Sequence, residues 1–173
     1  MEFYPLVENH HQHGILRLTH APAQQVFHTH QRLANMFATK LMDALDYRGV
    51  MVLELFDCGE ELLVNEVAPR IHNSGHWTQE GANPSQFEMH LRALTGLPLT
   101  TPQIPGSSAM VNLIGVELRA DWLQRPGRLH WYNKAVRPGR KQGHVNLTGV
   151  DVDSIRHQLQ HWEDMVPGIS QQA

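Results

Sequence analysis

Apolar residues recur at helical spacing from Ala23 to Asp46: Val26, Phe27, Leu33, Met36, Phe37, Leu41, Met42 and Leu45 fall on one stripe. Tyr47-Arg48-Gly49 breaks that pattern. Val50–Phe56 and Leu62–Val67 then read as aliphatic strands joined by the polar, glycine-containing turn Asp57-Cys58-Gly59-Glu60-Glu61, which predicts a β-hairpin. Asn83-Pro84-Ser85 is expected to open a second helix, with Asn83 as its cap and Pro84 in its first turn. Phe87, Leu91 and Leu94 form its apolar stripe, and Gly96 ends it. Three prolines between Leu97 and Pro105 mark an extended connection and a sub-domain boundary, dividing the chain into 1–96 and 97–173. Beyond it, Met110–Val116, Leu129–Tyr132 and His144–Leu147 are short strand candidates. Asp153–Met165 reads as a helix with Ile155, Leu159 and Trp162 on one side. The alternation predicts an α+β fold. Phe3–Asn9 looks like a strand that runs straight into His10-His11-Gln12-His13-Gly14. A strand with nothing before it suggests a chain cut from something longer.

Composition narrows the function classes. Of the 173 residues 41% are apolar and 18% charged, which excludes charge-driven disorder. The net charge of −3 argues against a basic nucleic-acid binder. A single cysteine, Cys58, excludes a disulfide framework and a cysteine-rich zinc module, and in its turn Cys58 is expected to be inert. No apolar run is long enough to cross a membrane, and the first residues lack the pattern of a secretory signal, so a soluble cytoplasmic protein is expected. The charge is segregated: residues 1–118 are acidic, whereas 119–145 hold Arg119, Arg125, Arg128, Lys134, Arg137, Arg140 and Lys141 against one acid, Asp121. Such a segment can hold an anion, or it can be a solvated loop.

Chemistry concentrates after the first hairpin. Centred on Glu60, its register sets 54 opposite 66 and 56 opposite 64, so Glu54 and Glu66 share a face with Val52, Phe56 and Val64. Two adjacent carboxylates among apolar neighbours repel each other, and a cation relieves this. Oxygen donors of this kind suit Mg²⁺, which takes one or two carboxylates plus substrate phosphates. The other reading is a wet outer face with both glutamates solvated. The following segment places Glu66, Arg70, His72, Asn73 and His76 within eleven residues, broken by Pro69 and Gly75. Arg70 offers the forked donor geometry of phosphate and carboxylate recognition.

Four stretches carry a resemblance: Asn65–Thr78, Gln86-Phe87-Glu88, Asn112-Leu113-Ile114-Gly115 and His130–His144. In this order and spacing the chain resembles the C-terminal half of the N5-carboxyaminoimidazole ribonucleotide synthase family, ATP-grasp ligases of purine biosynthesis. The resemblance implies the C-terminal part of an ATP-grasp fold, an antiparallel sheet with packed helices, over 1–96 and a small β-rich domain over 97–173. It implies a reaction of ATP, bicarbonate and 5-aminoimidazole ribonucleotide, with Mg²⁺ carried on ATP, in a homodimer. Glu54 and Glu66 would ligate the metal. His11, Asn65 and Glu66 would belong to the nucleotide site. Arg70 would stabilise the transferred phosphoryl or carboxyphosphate charge, and His72 and Asn73 would lie near bicarbonate and the aminoimidazole. Lys134 and Arg140, with Arg137 and Lys141, would bind the ribonucleotide phosphate. Ala68 stands where many ATP-grasp enzymes carry Asn, which argues against a generic peptide-type ligase. The nucleotide-covering parts of the family have no counterpart before Met1, so the chain alone is expected not to turn over.

Other readings are a folded, non-catalytic module of an ATP-grasp protein, and a cupin-like metal enzyme built on the 13 histidines. His10–His13 is expected to be a polar strand-end turn. His28 and His30 are expected to be solvated. Trp122, Trp131 and Trp162 are read as core or interface anchors, and Trp77 as packing beneath the loop.

Overall fold

A computed structural model describes residues 1–24 and 28–166. Its main element is a five-stranded antiparallel sheet in the order β1(Glu8–Gln12), β2(Ile15–Ala21), β5(Ser107–Ile114), β7(Lys141–Gly149), β6(Arg128–Trp131). A separate hairpin pairs β3(Val52–Asp57) with β4(Leu62–Ala68). The helices are α1(His28–Ala44), α2(Thr78–Gly81), α3(Gln86–Thr95) and α4(Val152–Leu159), with short 3-10 turns at Asn73–Gly75, Ala120–Gln124 and Gln160–Trp162.

The central strands β5 and β7 are covered on both faces, and their alternation decides what each face does. Val111, Leu113, Val145 and Leu147 point to one side, where Trp122, Ile155, Leu159 and Trp162 complete the core. Asp151 begins α4 with a reciprocal cap: its side chain accepts from the Ser154 N–H at 2.8 Å. The opposite face carries Met110, Asn112, His144 and Asn146, cross-strand neighbours in register. Leu16, Ala21 and Trp77 pack against Met110, and Tyr4 meets Trp77 edge-on at 6.3 Å. That polar-and-apolar face receives the loop and short helix α2 that follow the hairpin.

Several sequence expectations change. Strand β2 was not anticipated: the histidine segment turns at His13-Gly14, both with positive φ, and returns. Strands from both sides of the proline-rich stretch join one sheet, since β2 pairs with β5. The cap of α3 is Ser85, whose Oγ accepts from the Glu88 N–H, because Asn83 is engaged in a two-way backbone bridge with Gln103 (3.0 and 2.8 Å). The predicted end at Gly96 holds, with φ of 73°. In α1 the positions Val26 and Phe27 lie outside the described residues. Of its remaining stripe, Leu33, Phe37, Leu41 and Met42 are half-buried, whereas Met36 and Leu45 are exposed. His30 is 1% exposed rather than solvated, because it sits on the same inward face as Ala34, 3.7 Å from the Asp57 carboxylate. The C-terminal helix is shorter than read, giving way to the 3-10 turn at Gln160 that still buries Trp162.

Candidate functional site

The hairpin sets Glu54 opposite Glu66, as its spacing predicts. Beyond that pair the register shifts: Leu55 faces Val64 and Phe56 faces Leu63, so the expected 56–64 pairing is replaced and Asn65 is the extra residue. A bulge bends the strand there and frees Asn65 from strict alternation. Glu54 is mostly covered, with 18% of its side chain exposed, whereas Glu66 is exposed.

After β4 the chain leaves the sheet through buried Ala68 and exposed Arg70, whose Nη1 donates to the Ile71 carbonyl at 3.0 Å. His72 then caps the Asn73–Gly75 turn, and its Nδ1 lies 2.9 Å from the Ser74 hydroxyl. Its Nε2 lies 3.8 Å from Glu54, so the two elements meet at this imidazole. Gln86, at the start of α3 and 2% exposed, fixes the loop. Its Oε1 accepts from the His72 N–H (3.0 Å), and its Nε2 donates to the His72 carbonyl (2.9 Å) and to His76 Nδ1 (2.8 Å). The His72 N–H needs an acceptor, which sets the amide orientation and makes His76 Nδ1 an unprotonated acceptor. A side chain at Gly75 would put Cβ 2.4 Å from Gln86 Oε1, so glycine lets the turn lie against this amide.

The second half of the chain meets this loop through Lys141, whose ammonium donates to Asn73 Oδ1. Lys141 and Lys134 lie over the ring of Tyr132, 5.5 and 4.8 Å from its centroid. Tyr132 is anchored in turn: its hydroxyl is 2.5 Å from His144 Nδ1, and His144 Nε2 is 3.1 Å from Gln79 Oε1. An amide oxygen only accepts, so His144 donates through Nε2 and accepts from the Tyr132 hydroxyl through Nδ1. His130 stacks on His144 at 4.5 Å and reaches Glu80 at 3.0 Å. Asn146 donates to the His76 carbonyl at 2.9 Å and to Glu80.

Burial sets the protonation states. It pushes Lys141 down to about 7, helped by neighbouring Lys134. It lowers His76 to about 3 and His144 to about 2, with the Lys141 charge adding to both, so these imidazoles are neutral at pH 7. His72 is also lowered by burial, with Glu54 pulling the other way, Arg70 and Lys141 reinforcing and Glu66 opposing. Glu54, Glu66, Arg70 and Lys141 therefore all act on His72.

The structure thus gathers Glu54, Glu66, Arg70, His72, Asn73, Lys134 and Lys141. Arg137 and Arg140 are exposed ahead of β7; among the described residues no side-chain hydrogen bond or ion pair joins them to the network. His11 is exposed on β1, and with Asn65 and Glu54 it lines a cleft of about 1280 Å³. Part of the basic segment is structural. Arg125 bonds Asp121 and Asp164 (2.9 and 2.6 Å) and lies 5.1 Å over Trp162, and Arg119 bonds Asp121 at 2.9 Å. Arg119 and Arg125, to which no anion-binding role was assigned, are thus held by carboxylates of the chain itself. Sequence reasoning assigned no roles to Gln86, Ser74, Tyr132, His130 or His144. The polar–apolar alternation of His144-Val145-Asn146-Leu147 was the available signal.

Among the described residues no group of three or more His, Cys, Asp and Glu side chains converges as a metal cage, which disfavours the cupin-like reading. Glu54 and Glu66 are two oxygen donors side by side, a set that fits Mg²⁺ only with phosphates and water completing its shell.

Residues 1–87 match the ATP-grasp domain family, and residues 108–158 match the phosphoribosylaminoimidazole carboxylase C-terminal domain. The chain is 49% identical over 170 residues to the N5-carboxyaminoimidazole ribonucleotide synthase of Escherichia coli, covering 95% of this chain and 46% of that protein. It superposes on the N5-carboxyaminoimidazole ribonucleotide synthetase of Thermus thermophilus with a TM-score of 0.89 and 54% identity, covering 95% of this chain and 46% of that one. The Aspergillus clavatus synthase in complex with ADP and 5-aminoimidazole ribonucleotide matches with a TM-score of 0.84 and 35% identity, over 93% and 46% of the two chains. The chain spans about half the length of the curated relatives it matches. It belongs to the ATP-grasp family, and the relatives it resembles there are N5-carboxyaminoimidazole ribonucleotide synthases.

Proposed function

We propose that this chain supplies the metal-carboxylate, carboxylation and phosphate-binding parts of a ligase. That ligase joins bicarbonate to the exocyclic amine of 5-aminoimidazole ribonucleotide at the expense of ATP, in cytoplasmic purine biosynthesis and as a homodimer. Residues 1–96 carry the nucleotide and carboxylation side, and 97–173 the ribonucleotide phosphate side. The observation that carries this reading is the Lys141–Asn73 hydrogen bond, which joins the two sides at the loop holding His72.

The roles follow from position. Glu54 and Glu66 hold Mg²⁺, which supplies charge neutralisation on the triphosphate when bound. His11 and Asn65, with Glu66, face the nucleotide. Arg70, exposed at the start of the loop, takes up the negative charge of the transferring phosphoryl group and of carboxyphosphate. In that chemistry a bicarbonate oxygen attacks the terminal phosphorus, ADP leaves, and carboxyphosphate breaks down to CO₂ and phosphate. The substrate amine then bonds to the carbon and gives up a proton. Neutral His72, whose Nδ1 accepts from the Ser74 N–H, can donate through its Nε2–H and so orient a group at that centre, and Asn73 can hold the amine. Lys134, Arg137 and Arg140 meet the 5′-phosphate, and Lys141 links them to Asn73.

Titrating ribose 5-phosphate into the 173-residue chain by calorimetry tests the reading. Binding in the millimolar range or tighter is expected, with Lys134→Ala abolishing it. No binding to wild type, or equal binding to Lys134→Ala, would overturn the phosphate assignment and favour a non-catalytic module.

A further inference from the structure

Two ammonium groups near one aromatic ring need an explanation, because like charges repel and the longer-buried of the two, Lys141, gives up hydration. Among the described residues neither lysine is paired with a carboxylate. Glu80 is taken by His130 and Asn146, and Glu54 faces His72. What holds the ammoniums is the π-face of Tyr132, joined at Lys141 by Asn73 Oδ1. The ring itself is not free to rotate away: its hydroxyl donates to His144, His144 donates to Gln79, and His130 stacks on His144 with its own nitrogen fixed by Glu80. Gln79 and Glu80 belong to α2, the element that directly follows the His72–His76 loop. The tyrosine is thus braced from the same segment whose Asn73 accepts from Lys141.

We infer that Tyr132 is a positioning residue: its ring, braced by His144, seats Lys134 and Lys141 so that the anion held by Lys134 stands at a fixed distance from Asn73 and His72. The anion is a phosphomonoester, an identification that rests on the proposed function. A pair of seated ammoniums gains most from a dianion, which removes their mutual repulsion as it binds. The ring is suited to this task where a carboxylate is not. A carboxylate would satisfy the lysines and compete with the ligand, whereas a π-face orients them without bringing an anion of its own.

The test uses the 173-residue chain with Tyr132→Phe and Tyr132→Leu, and two readouts at a temperature where all three proteins are folded. The first is the NMR shift of the lysine ε-methylenes, which the ring current moves upfield with or without ligand. The second is calorimetric affinity for ribose 5-phosphate. The wild type is expected to show upfield ε-methylenes at Lys134 and Lys141. Tyr132→Phe keeps a ring but loses the brace, so smaller upfield shifts and a loss of about threefold in affinity are expected. Tyr132→Leu should lose the shifts and on the order of tenfold in affinity, the scale of a partly desolvated cation–π contact. A tyrosine that only fills space would change melting temperature and leave the affinity alone. Shifts absent in wild type, or unchanged in Tyr132→Leu, overturn the inference, as does an unchanged affinity. Failure of wild type to bind ribose 5-phosphate overturns the functional reading instead, and the shift comparison still decides whether the ring seats the ammoniums.

Discussion

Replacing Gln86 by leucine is expected to destabilise the chain by about 2–3 kcal/mol. Gln86 is 2% exposed and makes three hydrogen bonds of 2.8–3.0 Å to His72 and His76. Leucine matches its volume but offers no donor or acceptor, so the His72 N–H and carbonyl and His76 Nδ1 lose their partner together. Stranding a buried polar group costs about 1–3 kcal/mol each. His72 and His76 are half-buried, so water recovers part of this, and three groups at the lower end give about 3–4 kcal/mol. Burying leucine in place of an amide offsets roughly 1 kcal/mol. Urea unfolding followed by circular dichroism measures the difference, and a loss of this size lowers Tm by about 5–10 °C in a domain of this length. Gln86→Glu is the control: it retains an acceptor for the His72 N–H but sets a carboxylate oxygen against the His72 carbonyl, so it too should destabilise at pH 7. A change below about 0.5 kcal/mol in Gln86→Leu, with an unchanged urea slope, would refute the view that this amide holds the loop.

The remaining predictions concern charge. Burial holds His20 at about 4, His76 at about 3 and His144 at about 2, so the unfolded chain takes up protons near pH 6.5 that the folded chain refuses. Stability from these groups is complete above pH 6.5 and falls as the pH drops towards 4, by up to about 1.4 kcal/mol per unit for each. Lys141, held at about 7 against an ordinary 10.5, has the same sign over a higher window: stability rises as the pH climbs from 7 towards 10.5. Urea midpoints at pH 5, 7 and 9 should therefore increase in that order, and a flat profile between 5 and 7 would contradict neutral burial of the histidines. Glu66→Gln should stabilise the metal-free chain by a few tenths of a kcal/mol, because Glu66 stands directly opposite Glu54. A clear drop in melting temperature would count against repulsion across that pair.

What was legible in the sequence was local. The strand periods, the turn at Gly59, the end of α3 at Gly96 and the Glu54–Glu66 pairing follow from spacing, because a hairpin's turn length fixes which residues face each other near its middle. The carboxylates, Arg70, His72 and Asn73 could be singled out for the same reason: they lie within a few residues of one another on a strand and the loop that leaves it. The bulge at Asn65 and the capping of α3 by Ser85 were already decided elsewhere, one by strand bending and the other by the bridge between Asn83 and Gln103. Burial of His30 depended on which side of α1 met the rest of the chain. Nothing local distinguishes Arg125, tied to Asp121 and Asp164, from Lys134, which lies over Tyr132; both are basic residues in one segment. That distinction is made by Asp164, 39 positions from Arg125, and by His144, which fixes Tyr132 from 12 positions away. The sequence by itself determined the chemical groups and their short-range order. Only the tertiary structure, by laying the polar face of β7 against the loop after β4, decided which groups are buried, neutral and within reach of one another, because desolvation and hydrogen bonding act through space and not along the chain.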